Sequence, residues 1–178
     1  MTFSIRRAAP ADAARLAELA ARTFQETYAA YNDPSDMAAH ITARYGESKQ
    51  AEELADGSST YIVAELRDQL IGYAYLVVGQ APRGVELDAP VELVRFYVAS
   101  EWHGRGVARP MMAACVTEAR RQGGRTLCLG VWQENPRAIA FYRKVGFTIV
   151  GRTGFDLGSQ HQVDHVMALP LDGAGEAS

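Results

Sequence analysis

Cysteine is scarce in this chain: two residues in 178, Cys115 and Cys128. Neither belongs to a CxxC pair or a Cys/His cluster. Their spacing therefore offers no metal centre and no redox couple, and both read as small buried hydrophobes in a reducing compartment. Basic runs are also missing and the net charge is −3, which withholds electrostatic support from a nucleic-acid partner. No apolar stretch approaches the roughly 18 residues that a membrane span needs. The opening MTFSIRRAAP has no apolar signal core. A cytoplasmic protein with no membrane partner is the expectation. His161 and His165 are four apart, as in a helical metal pair, but they fall in a turn-and-strand segment with no third ligand apparent, so no metal is expected.

What is present is enough for one substantial core, with 48% hydrophobic and 22% charged residues. No repeat, low-complexity tract or linker marks a second domain, so residues 1–170 read as a single domain and 171–178 as a flexible, small and polar tail. Phe3–Ala8 reads as an opening strand. Pro10 and Asp12 start a helix whose Leu16, Leu19, Ala20, Thr23, Phe24 and Tyr28 follow at steps of three and four. Asn32-Asp33-Pro34 breaks it, Ser35 is placed to cap a helix over Asp36–Tyr45, and Glu47–Ala55 forms a third. Thr60–Leu66 and Leu70–Val78 are rich in β-formers and joined by Arg67-Asp68-Gln69, a hairpin. Ala81–Pro90 is a loop carrying Glu86 and Asp88.

The stretch Val91–Gly151 organises the rest, reading as strand, glycine turn, helix, strand, helix, strand. The helix after the turn buries Ala108, Met111, Met112, Cys115, Val116 and Ala119 and ends at Gly123-Gly124. Thr126–Val131 is a buried strand, and Phe147–Val150 begins another. Arg152–Leu157 and Gln162–Leu169 form a last pair around the turn Gly158-Ser159.

The chemistry sits in two places. Gly104 and Gly106 clear side chains from the path between strand and helix, so free N–H groups of residues 104–108 face a positive helix end where a phosphate is held. The lysine of a P-loop is absent, and Arg109 stands where a dinucleotide fingerprint needs glycine or alanine. An anionic pyrophosphate assisted by Arg105 or Arg109 remains, beside the plainer alternative of a tight turn. Asn135 and Pro136 define a helix start, with Tyr142 seven residues on, on the same face and roughly 10 Å along the axis. A long ligand would span the two; equally, Tyr142 fits a core stripe with Ala138, Ile139 and Val145.

At these residues the chain resembles the GNAT superfamily of N-acetyltransferases. Its acetyl-CoA signature, Gln/Arg-x-x-Gly-x-Gly/Ala, matches His103-Gly104-Arg105-Gly106-Val107-Ala108, with histidine in the first position. Its second signature is intact in Asn135, Ala138 and the FYRKVGF of Phe141–Phe147. The resemblance spans nearly the whole chain and is nearer still to the Pai-type spermidine/spermine acetyltransferases in GVWQENPRAIAFYRKVGF, in TFQETY with Pro34 and Met37, and in FDLGSQHQVDHVMALPL. Ser159, Gln160 and His161 stand where members of that group carry acids.

That resemblance implies an α+β fold, a mixed, mostly antiparallel sheet flanked by helices on both faces. It implies an acetyl-CoA-dependent transfer to the primary amine of a small molecule, a polyamine foremost, by direct attack in a ternary complex. Peptide α-amines, amino acids and aminoglycosides are the alternative acceptors, and a non-catalytic acyl-CoA sensor the alternative class. By the same resemblance Tyr142 protonates the departing sulfur and Glu92 serves as base. Phe96, Tyr97 and Val98 on a splayed strand, together with Ala138, join the turn in holding coenzyme A. Phe24, Tyr28, Glu86, Asp88 and Trp132 line the acceptor site, and a homodimer is the oligomer the family implies.

Overall fold

Residues 2–158 and 160–171 are described by the structure, a computed structural model. Ser159, placed above in a turn, and the tail from residue 172 lie outside them. In chain order the elements are β1 (Ser4–Arg7), α1 (Ala13–Tyr28), α2 (Pro34–Tyr45), α3 (Glu47–Ala55), β2 (Ser59–Leu66), β3 (Gln69–Val78), β4 (Pro90–Val98), α4 (Ala108–Arg121), β5 (Thr126–Trp132), α5 (Pro136–Val145), β6 (Thr148–Leu157) and β7 (Gln160–Pro170). The strands form one sheet in the order β1-β2-β3-β4-β5-β7-β6. Among the described residues only β4 and β5 run parallel, joined by α4 as a crossover; the other neighbours are antiparallel. This is the expected mixed α+β sheet.

Two cores lie on its two faces. On one, Met111, Met112, Cys115 and Ala119 of α4 and Ile139 and Tyr142 of α5 pack on Ile62, Ile71, Leu76, Val91 and Leu93. On the other, Leu16, Leu19 and Phe24 of α1 and Met37 and Tyr45 of α2 pack on Tyr61, Val63, Tyr73 and Tyr75. Both cysteines are buried and free. No helix among the described residues is long and apolar enough to cross a membrane.

Local chemistry refines several boundaries. Helix α2 starts at Pro34, with Asp33 rather than Ser35 as its cap. The Asp33 carboxylate accepts the Ser35 N–H at 2.8 Å, and proline suits the first helical position. The β2–β3 link is two residues, Arg67 and Asp68, both at positive φ (48° and 65°), with Gln69 already paired to Leu66. The two strand segments expected at 147–150 and 152–157 are one strand, because a bulge between Ile149 and Gly151 absorbs the extra residue. Leu171, assigned above to the tail, is buried in the α4–α5 core, and its N–H donates to the Arg125 carbonyl at 2.8 Å.

Two irregularities in β4 prepare a site. Tyr75 pairs with Arg95 but Leu76 with Leu93, so Val94 bulges. The bulge reverses the face on which later residues point: Leu93 belongs to the α4–α5 core, whereas Arg95 packs against Tyr45 and Tyr75 of the other. Pairing of β4 with β5 is confined to Pro90–Glu92 against Thr126–Cys128. Beyond Glu92 the two strands separate and each keeps only its outer neighbour, opening a slot through the sheet.

Candidate active site

A cleft of about 790 Å³ fills that slot. Its walls are Leu93–Val98 of β4 and Gly130–Trp132 of β5, its cap the glycine turn and the starts of α4 and α5, and its mouth the C-terminal part of α1 with Tyr31.

Gly104 and Gly106 adopt φ of 74° and 80°, a backbone that favours glycine, and a Cβ at either would enter open space in the cleft. Within the turn the Arg105 N–H donates to the Trp102 carbonyl (3.3 Å), and the Met111 N–H to Val107 (3.3 Å). The N–H groups of Gly106, Val107, Ala108 and Arg109 have no backbone acceptor among the described residues. Pro110 removes the next donor at no cost in a first turn. A row of unpaired donors at a helix N-terminus, with Arg109 and Arg137 also lining the cleft, is an anion cradle.

His103 takes a role its position in the motif did not disclose. Its Nε2 lies 2.7 Å from the Val98 carbonyl and so carries the proton, leaving Nδ1 to accept from Arg137 Nη1, also at 2.7 Å. The ring thus ties the end of β4, the glycine turn and the first turn of α5 together. Asn135 accepts the Ala138 N–H at 3.2 Å with its side-chain oxygen and so caps the helix. Gly146, at φ 114°, ends α5.

Tyr142 is 8% exposed yet lines the cleft. Phe96, Phe141 and Phe147 hold its ring at centroid distances of 6.3, 5.5 and 5.6 Å. Burial pushes its phenol well above the ordinary value, so it stays protonated at neutral pH. Of the residues expected to hold coenzyme A, Phe96, Tyr97, Val98, His103, Gly104, Gly106, Val107, Ala108, Arg109, Asn135, Ala138 and Tyr142 all line the cleft. Arg105 does not: its guanidinium sits over the Trp102 ring, 5.5 Å from the centroid.

The expected acceptor residues divide. Tyr28 and Trp132 line the mouth with their rings 5.9 Å apart, and Tyr31 packs edge-on to Trp132 at 4.9 Å. Burial raises the Tyr28 hydroxyl to about 12, although it accepts a hydrogen bond from Tyr97. Phe24 is core instead, 2% exposed and stacked on His40 at 4.6 Å. Glu86 and Asp88 are exposed on the loop before β4, outside the cleft, and Asp88 pairs with Arg125 at 3.0 Å. Glu92 is also outside the lining set: it stands where β4 and β5 still pair, with Gln80 hydrogen-bonded to its carboxylate and burial raising its pKa. Glu26 and Glu134 line the mouth in their place, and the Glu26 carboxylate accepts the Ser100 N–H at 3.2 Å. A strand-interior glycine such as Gly130 was the available signal for close approach to β5, and Glu26 shares the α1 segment with Tyr28.

The chain belongs to the acetyltransferase (GNAT) family, whose model matches residues 14–147. An uncharacterised N-acetyltransferase of Mycobacterium tuberculosis is 35% identical over 160 residues, covering 90% of this chain and 98% of that protein. The peptidyl-lysine N-acetyltransferase YjaB of Escherichia coli is 26% identical over 134 residues, 65% of this chain and 88% of its own. Among solved structures, the PaiA N-acetyltransferase of Thermoplasma acidophilum in complex with coenzyme A has the same fold, with a TM-score of 0.78 at 22% identity over 96% of this chain and 99% of that one.

Proposed function

We propose that the protein transfers the acetyl group of acetyl-CoA to a primary amine of a small cationic molecule, a polyamine foremost, by direct attack within a ternary complex. The observation that carries this reading is convergence on one cleft: the unpaired N–H row, the gap between β4 and β5, and the protonated Tyr142. The residues present suit coenzyme A. Gly106–Arg109 N–H groups with Arg109 and Arg137 match a pyrophosphate, and the edges of β4 and β5 left unpaired beyond Glu92 match the amides of a pantetheine arm. Acetyl-CoA supplies the activated thioester.

The chain's own groups do the rest. Strand β4 orients the acyl donor by its free edge and offers N–H groups to charge developing on the carbonyl oxygen. The Tyr142 hydroxyl delivers a proton to the departing sulfur. Tyr28, Tyr31 and Trp132 supply ring faces, and Glu26 and Glu134 negative charge, which suits a cationic acceptor.

The test is thiol release from acetyl-CoA against spermidine, spermine, amino acids, aminoglycosides and lysine-containing or N-terminal peptides. Turnover of polyamines above the other amines is the expected result. Turnover of another amine alone would keep the transfer and reject the polyamine. Coenzyme A binding with no turnover on any amine would reject the enzyme in favour of an acyl-CoA sensor.

A further inference from the structure

In the middle of β5, Gly130 is exposed and lines the cleft, although its neighbours Leu129 and Val131 are buried. Beside it on the same face, just outside the residues that line the cleft, lies a carboxylate. A Cβ built on Gly130 would stand 3.4 Å from Asp164 Oδ2 and 3.8 Å from Asp164 Cβ. Asp164 belongs to β7, paired in register with Trp132, so its side chain shares the sheet face of Trp132 and of the mouth residue Tyr28. Its Oδ1 is fully buried and has no hydrogen-bond partner among the described residues. A buried, unpartnered carboxylate oxygen is rare in a folded protein and calls for something that pairs with it.

We propose that Asp164 is the carboxylate that receives the acceptor's ammonium group and takes its proton, reached through the gap that Gly130 leaves in β5. The inference rests on the acetyltransferase reading above. A primary ammonium has a pKa of about 10 and cannot attack until it loses a proton. One proton passes from the ammonium nitrogen to Asp164, and the freed lone pair forms the N–C bond to the acetyl carbon. As the C–S bond breaks, the sulfur takes the Tyr142 proton, and the second nitrogen proton restores Tyr142 through solvent. The balance is one amide, one free thiol and one proton, which Asp164 returns to water. Burial pushes the Asp164 carboxyl up to about 6, a useful value for a proton acceptor near neutral pH. A Cβ at 130 would already touch Asp164 Oδ2, so a branched side chain there would cover the carboxylate.

The experiment uses the full chain saturated with coenzyme A and measures calorimetrically the binding of spermidine and of each other amine that the thiol-release panel finds active. Asp164→Asn is expected to weaken ammonium binding at least ~30-fold, with coenzyme A affinity unchanged and part of the loss recovered in Asp164→Glu. With acetyl-CoA, kcat/KM for the charged amine should fall ~100-fold and the acid limb of its pH profile near 6 should vanish. Trifluoroethylamine, neutral at the assay pH, should be little affected. Gly130→Val should reproduce the loss with Asp164 in place. Unchanged ammonium binding in Asp164→Asn, equal losses on charged and neutral amines, or a wild type that binds none of the amines would overturn the assignment. If wild type binds coenzyme A and an amine but turns nothing over, the acetyltransferase reading fails, while the binding arm still decides the place of Asp164.

Discussion

Arg95 and Asp164 both carry charge into the same face of the sheet, on either side of β5, and they are treated in opposite ways. The Arg95 guanidinium, 8% exposed, donates to both oxygens of Glu53 at 2.8 and 3.0 Å and to the Tyr61 hydroxyl at 2.7 Å. That hydroxyl also lies 2.6 Å from Gln50 Oε1, and the rings of Tyr45 and Tyr75 flank the guanidinium at 5.0 and 4.9 Å. Asp164 has an oxygen, Oδ1, just as buried and with nothing paired to it among the described residues. A satisfied buried network fixes geometry, here the bulged β4 that forms one wall of the cleft. An unsatisfied one keeps its interaction for something that arrives.

The difference can be broken first at Glu53. Glu53→Ala leaves Arg95 buried without its counter-charge and should cost about 3–5 kcal/mol in denaturant unfolding. Glu118→Gln comes next. Arg7, Arg121 and Gln122 hold that carboxylate, and despite the opposing cost of burial its pKa falls from 4.5 to about 2. A depressed folded pKa gives stability that is present above the unfolded pKa and lost as pH falls through the folded one. The mutant should therefore lose about 2 kcal/mol at neutral pH and show less of the acid decline between about 4.5 and about 2. Asp164→Asn has the smallest effect on stability and the opposite sign. Burial raises this carboxyl from 3.8 to about 6, so the wild type loses stability as pH rises across that window. The mutant should gain about 1 kcal/mol above pH 6, discounted for the residue's partial exposure, and nothing below pH 4. Thermal unfolding across pH measures both.

The end of the cleft proposed to hold coenzyme A was legible because it is built from short-range signals. Two glycines before an apolar helical stripe, and an Asn-Pro helix start with Tyr142 two turns on, fix local backbone whatever the tertiary frame. Every residue expected to hold coenzyme A lines the cleft except Arg105, whose guanidinium stacks on a ring two residues from the turn's start. The end proposed for the acceptor is assembled from residues far apart in sequence. Whether Glu92 or Val94 meets the cleft depends on the Val94 bulge and on where β4 parts from β5, and neither leaves a compositional mark. Glu86 and Asp88 had the right charge for an amine but sit on an exposed loop, and Phe24 the right ring but the inward side of α1. Asp164 drew no attention in the sequence, because only the register with Trp132 places it beside Gly130.

The central claim is that the gap between β4 and β5 brings an acyl thioester to the Tyr142 hydroxyl. It is tested most directly by the kcat for amine-dependent thiol release in wild type and in Tyr142→Phe, with coenzyme A affinity measured on both. The expected result is a fall in kcat of about 100-fold or more with that affinity unchanged, because only the proton donor is removed. Equal kcat in the two proteins would contradict it, and the sulfur's proton would then come from elsewhere.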